Sequence, residues 1–176
     1  MKNLYFCLLG LLWIGCGPRT QLSSFSVPSH PAFHKFFIYA DYKDLVMRQN
    51  IEKEFAITFR HRAVMSLDYL SPLNRYDSLQ IDSIERSTGC DAILYIASNG
   101  GKSISSYSAK DVFGGVNTSS AEVDGLNTTI TVMDTLKKQY YIANTRTTDA
   151  NARYVAETIS LKSYNDLKEN GFFAKE

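Results

Sequence analysis

The sequence predicts an α/β domain with an α+β tendency: one mixed sheet, in the order β-α-β-α-β-β-β-β-α, packed by helices. Three observations carry this. Short apolar runs alternate with helical stripes through the first half of the chain. Two alternating stretches then follow each other closely, as antiparallel neighbours do. A last amphipathic stretch closes the chain.

Phe36-Phe37-Ile38-Tyr39-Ala40 is continuously apolar and aromatic, as a strand buried on both faces should be. Asp41 is placed to cap the next helix, which runs to about Thr58. The apolar stripe of that helix is Met47, Ile51, Phe55 and Phe59, at helical spacing. Arg48 and Glu52 share one helix face and form a candidate pair worth about 0.2–0.5 kcal/mol. Ala63-Val64-Met65 is a second, short strand, and Ser66 to Tyr76 is a loop punctuated by Pro72. Asp77 with Gln80 resembles a capping box for a helix over 78–88 with Leu79, Ile81 and Ile84, and Gly89 is its expected C-cap. Ala92 to Ala97 is a third buried strand. Three strands separated by helices predict parallel pairing through crossovers.

After this the pattern changes. Ser98-Asn99-Gly100-Gly101 places Asn-Gly at the centre of a tight turn, so the next strand, about Ser103 to Ala109, should run antiparallel to the third. Lys110 to Leu126, rich in Gly, Ser and Thr, reads as a long loop or irregular edge structure. Thr128 to Asp134 and Gln139 to Thr147 alternate as strands. Asp149 is the expected cap of a final helix ending near Asn170, with Gly171 stopping it. Its stripe is Ala152, Val155, Ala156, Ile159, Ser163 and Leu167.

The amino terminus carries its own signal. Lys2, the apolar run Leu4 to Ile14 and small Gly15 have the form of a secretory signal. The run is too short for a membrane-spanning helix, which needs roughly 20 apolar residues. Trp13-Ile14-Gly15-Cys16 resembles the lipobox of bacterial lipoproteins. The resemblance implies cleavage before Cys16 and diacylglycerol on its sulfur, usually with a further acyl chain on the new amino terminus. An ordinary cleaved signal and an uncleaved anchor are the alternatives. Each buried methylene is worth roughly 0.8 kcal/mol and one chain alone holds weakly, so several acyl chains give durable anchoring. Gly17 stands where an Asp would favour the inner membrane of enteric bacteria, so the resemblance implies an outer-membrane, periplasm-facing destination. The domain division expected is therefore 1–15 signal peptide, 16–32 lipidated cysteine and flexible tether, and 33–176 a single α/β domain. Three prolines and four serines between Gly17 and Ala32 support the tether, whose reach as flexible coil is roughly 20 Å.

Composition bounds the function. Of 19 basic residues Lys2 leaves with the signal, so 18 face 18 acidic ones and the mature chain has no formal net charge. There is no basic patch for nucleic acid and no polybasic membrane segment. Cys7 leaves with the signal and Cys16 is the lipidation candidate, so Cys90 has no partner for an internal disulfide; it opens an apolar run and is expected to be buried.

The element order resembles small envelope lipoproteins: the curli-secretion lipoprotein, the lipoprotein activators of penicillin-binding proteins, and the amino-terminal domain of the Tol-system β-propeller protein. It is more similar to uncharacterised bacterial envelope lipoproteins with an Arg-x-x-x-Glu first helix (here Arg48 and Glu52), an A-x-x-S second strand (Ala63 to Ser66), a G-x-D-A entry to the third (Gly89 to Ile93), and a late strand ending in Asp (Asp134). The likeness spans about 35–172. Many of those proteins have a Gly and a Trp in the last hairpin, near where Lys137 and Tyr141 stand here.

Several constellations bear on chemistry. His30 and His34 have i, i+4 spacing, but Pro31 argues against the helix a metal site would need, so no metal and no cofactor are expected. Ser98 to Lys102 only superficially suggests a phosphate loop, because a strand rather than a helix follows. Asp41 and Asp68 fall at strand ends, where α/β sheets favour ligands, and could form a general acid–base pair; helix capping is the simpler role. There is no nucleophile elbow and no Cys-His pair. Asn117-Thr118-Ser119 and Asn127-Thr128-Thr129 read as polar loop chemistry. Tyr107, Tyr140 and Tyr141, if exposed on one sheet face, would offer a protein contact, since tyrosine has an apolar body and a polar tip; half-buried strand positions are the plainer alternative.

The expected function is a membrane-anchored, non-catalytic module that binds another envelope protein or itself through the sheet edge or the 110–126 loop. The alternative is a small-ligand or hydrolytic domain using the strand-end carboxylates. Pore formation ranks low, because 99–147 lacks a clear pair of long alternating strands.

Overall fold

The computed structural model describes residues 19–71, 78–99, 109–110, 116–117, 126–148 and 151–175. They form a mixed sheet of β1 (Arg19–Ser26), β2 (Phe36–Asp41), β3 (Ala63–Met65), β4 (Ala92–Ser98), β7 (Leu126–Asp134) and β8 (Gln139–Thr148), with β5 (Ala109–Lys110) and β6 (Val116–Asn117) as a separate small pair. The helices are α1 (Leu45–Phe59), α2 (Ser78–Ser87) and α3 (Ala152–Glu169). The strand order is β1-β8-β7-β4-β2-β3. β2, β3 and β4 are parallel, and β7, β8 and β1 add antiparallel, so the expected mixed α/β sheet is what the chain forms.

The central strands are apolar because both faces are covered. On one face Phe36, Ile38, Ala40, Leu94 and Ile96 meet Met47, Ile51, Phe55 and Phe59 of α1, together with Val155, Ala156, Ile159 and Leu167 of α3. On the other, Phe37 and half-buried Val64 meet Ile81 and Ile84 of α2, closed by Leu70 and Cys90. The apolar packing of α2 is therefore confined to the β2–β3 side of the sheet.

The largest departure from expectation lies in the tether. Arg19–Ser26 is an eight-residue edge strand, antiparallel to β8 from Arg19↔Thr148 to Ser26↔Tyr141. The serines and scarce apolar residues of this stretch suggest a linker. An edge strand, however, needs apolar residues only on its covered face, and there Leu22 packs against the core and Thr20 is buried. Arg19–Ser26 is thus part of the sheet rather than a linker. The following segment is also fixed: Phe33 N–H donates to Phe172 O at 2.8 Å, and Ala174 N–H donates to Phe33 O at 2.9 Å.

The caps are corrected too. Asp44, not Asp41, caps α1, its carboxylate accepting from the N–H groups of Val46 and Met47 at 2.9 and 3.3 Å. Asn151 caps α3, accepting from Arg153 and Tyr154 N–H at 3.1 and 3.3 Å; Asp149 lies outside the described residues, as does Asp77 of the expected capping box. The antiparallel neighbour of β4 is β7, with Ser98 opposite Thr128, rather than a strand reached through an Asn-Gly hairpin. Residues 100–108, where that strand was expected, are outside the described set. Gly89 and Gly171 follow α2 and α3 at φ 68 and 78°, the left-handed geometry expected of C-caps.

Candidate functional site

Cys16 and Tyr107 lie outside the described residues. Asp41 and Asp68 are both exposed, Asp41 as the last residue of β2 and Asp68 in the turn after β3. Asp41 accepts a 2.6 Å hydrogen bond from the Tyr95 hydroxyl. Neither carboxylate lines either of the two clefts described below.

Tyr140 and Tyr141 do not form a contact surface. Consecutive strand residues normally face opposite ways. Here the register slips between Val132 and Met133, whose partners are Tyr141 and Gln139, so Tyr140 is the extra residue of a bulge. Both rings turn inward. Tyr140 tilts against Phe33, 6.1 Å between centroids, and its hydroxyl donates to Asp134 at 3.0 Å. Tyr141 packs edge-on to Phe172, and its hydroxyl donates to Asp166 at 2.6 Å. Burial, then the bond to Asp166, push the Tyr141 phenol well above its ordinary range.

The other singled-out groups are structural. The His30 ring stacks on Phe172 at 3.8 Å, and the His34 N–H donates to Asp91. Cys90 is buried, and burial raises its thiol. Arg48 and Glu52 do pair, at 3.2 Å. Glu52 is fully buried, and one of its oxygens also accepts from Ala40 N–H (3.1 Å) and Ser66 Oγ (2.6 Å), while the other accepts from Leu67 N–H (2.9 Å). This carboxylate ties α1 to β2 and to the turn after β3. The Arg48 guanidinium lies 5.0 Å over the Tyr39 ring, which stacks on Tyr95 at 5.9 Å.

Two clefts are open to solvent. One, of about 820 Å³, lies at the end of the sheet where β1 begins; its lining includes Gln21, Ser23, Asn99, Asn144, Arg146 and Lys162. Thr129 Oγ1 donates to Asn144 Oδ1 at 2.7 Å, and the Asn99 amide donates to Thr129 Oγ1. The other, of about 580 Å³, lies between the carboxyl-terminal ends of α1 and α3 beside Arg60, His61, Arg62, Tyr164, Lys168 and Phe173. Neither lining includes a carboxylate or a cysteine. These walls can donate and accept hydrogen bonds.

The sequence reading missed β1 and what it exposes. Among the described residues, β1 has a sheet neighbour on one side only. The Val27 N–H donates to Tyr140 O, so by strand alternation the N–H groups of Leu22 and Ser24 point away from β8. Thr20, in the same set, gives its carbonyl to the Lys162 ammonium. Phe25 is 67% exposed and heads a cross-strand row, Phe25–Ile142–Thr131–Tyr95–Tyr39, on the sheet face opposite α1 and α3. The signal for this was faint: Leu22 and Phe25 in a serine-rich stretch.

No family model and no curated protein matches the chain. Among solved structures it is similar to the PelC dodecamer from Paraburkholderia phytofirmans, with 14% identity and a TM-score of 0.52 over 90% of this chain and 100% of that one. A variant of the same dodecamer gives 16% identity and a TM-score of 0.50, covering 84% and 98%. At such identities the similarity bears on the fold alone. No helix among the described residues is long and apolar enough to cross a membrane.

Proposed function

We propose that this chain is a non-catalytic assembly module of the bacterial cell envelope, a lipoprotein anchored through Cys16 that associates with further copies of itself. The observation that carries the reading is the outer edge of β1: an eight-residue strand with no sheet partner on its outer side among the described residues, and with Phe25 exposed beside it. Such an edge is a template for a further strand. The dodecameric state of PelC, whose fold is similar, supports self-association. The signal-like start and the lipobox resemblance support the anchor and an outer-membrane, periplasm-facing location.

The test is the mass of the detergent-solubilised mature protein by light scattering. The wild type is expected to be oligomeric. Ser24→Pro, which removes an outward N–H at an edge position where proline is tolerated, is expected to reduce it to monomer while keeping its circular dichroism. A wild type that stays monomeric at every concentration would refute self-association. The anchor is tested separately by fatty-acid labelling, which Cys16→Ser should abolish.

A further inference from the structure

We infer that the lipid anchor holds the domain with one defined end toward the bilayer, the end of the sheet at which β1 begins. This rests on the lipid-anchor reading and deepens it. A tether reaching to residue 32 would let the domain lift and turn. The structure removes that slack, because the chain is already in the sheet at Arg19, opposite Thr148. Only Gly17 and Pro18 separate it from Cys16, so the acylated sulfur lies within about 13 Å of the strand's start.

The start of β1 is itself held firmly. Thr20 Oγ1 hydrogen-bonds Thr147 Oγ1 at 2.9 Å, and Lys162 of α3 reaches the Thr20 carbonyl. Short slack and a fixed strand together dictate which surface meets the membrane. The same end holds Asp41 opposite Ala97, Ser98 opposite Thr128 and Leu126 opposite Thr147, and both α1 and α3 begin there at their caps Asp44 and Asn151. The far end holds Ser26 opposite Tyr141 and the turn from Thr135 to Lys138. An eight-residue strand spans about 25 Å, so that turn faces away from the lipid. Exposed side chains at the anchored end include both signs, Asp41 and Lys43 among them, and the orientation follows from tether length.

The test uses the full lipidated protein in phosphatidylcholine vesicles that contain a headgroup-attached quencher. A fluorophore is placed through Lys43→Cys at the anchored end or Leu136→Cys at the far end; Leu136 is 86% exposed, and buried Cys90 stays in place. Quenching is expected to be several-fold stronger at position 43 than at 136. Insertion of about ten Gly/Ser residues between Pro18 and Arg19 should erase the difference, since it restores a flexible leash without touching β1. Equal quenching in the unaltered protein, with the protein retained on washed vesicles, overturns the orientation and leaves the anchor intact. Release of the protein from washed vesicles refutes the anchor, and the orientation with it.

Discussion

Glu52 shows how much one buried group can hold. A carboxylate with no exposure is tolerable only if its charge is paired and its lone pairs are used, and here four donors converge on it. Glu52→Ala would strand Arg48 and orphan two backbone N–H groups. The expected cost is about 3–5 kcal/mol, read as a lower urea midpoint with unchanged slope. Glu52→Gln keeps the volume but loses the charge, and is expected to fall between the two. A midpoint unmoved by Glu52→Ala would show that the network is not structural. The same residue marks what the sequence could and could not say. The i, i+4 spacing made the pair with Arg48 visible; nothing local revealed that Ser66 and Leu67, from beyond the next strand, complete it.

Elements were legible in proportion to how local their causes are. β2 and β4 announce themselves as unbroken apolar runs, and α1 and α3 as stripes, because burial on two faces or one is written at short period. β1 was not legible, because an edge strand with one covered face needs few apolar residues and its partner is far along the chain. That Tyr140 and Tyr141 both turn inward was not legible for a related reason: a bulge depends on the opposite strand, so alternation alone assigns one of them outward. Helix ends were partly legible. Gly171 was expected as the stop of α3, and its φ of 78° with open space where a side chain would stand isolates the conformational cost of a side chain. Gly171→Ala should therefore cost about 1 kcal/mol in thermal unfolding, without any packing clash. A substitution without effect would mean that the helix end relaxes freely.

At the scale of the whole molecule, several phenols share one direction. Burial raises Tyr42 to about 12, the Thr128 hydrogen bond pulling slightly the other way. Burial and then Asp41 raise Tyr95, and burial and then Asp166 raise Tyr141. A folded-state value above the unfolded one means the stabilisation is complete below the unfolded value and lost as pH climbs through the folded one. Stability should hold to the unfolded phenol's 10.0 and fall between there and 12, Tyr42 alone accounting for about 3 kcal/mol. Urea titrations across that range, followed by tyrosinate absorbance, would check it. Tyr42→Phe should unfold more easily at neutral pH, because it leaves the buried Thr128 hydroxyl without its partner, yet lose less as pH rises. A flat alkaline profile would contradict the burial of these rings.

The pairing of β1 with β8 also governs when the molecule can come into being. Thr20 and Thr147, which meet through their hydroxyls, stand 127 positions apart. Contacts of such long sequence separation form slowly, since the loop they close must be immobilised first. The sheet cannot be completed until almost the entire polypeptide has emerged. On the proposed lipoprotein reading, in which the chain is threaded through a membrane before it folds, that delay would keep the sheet open during passage and let it close only on the far side.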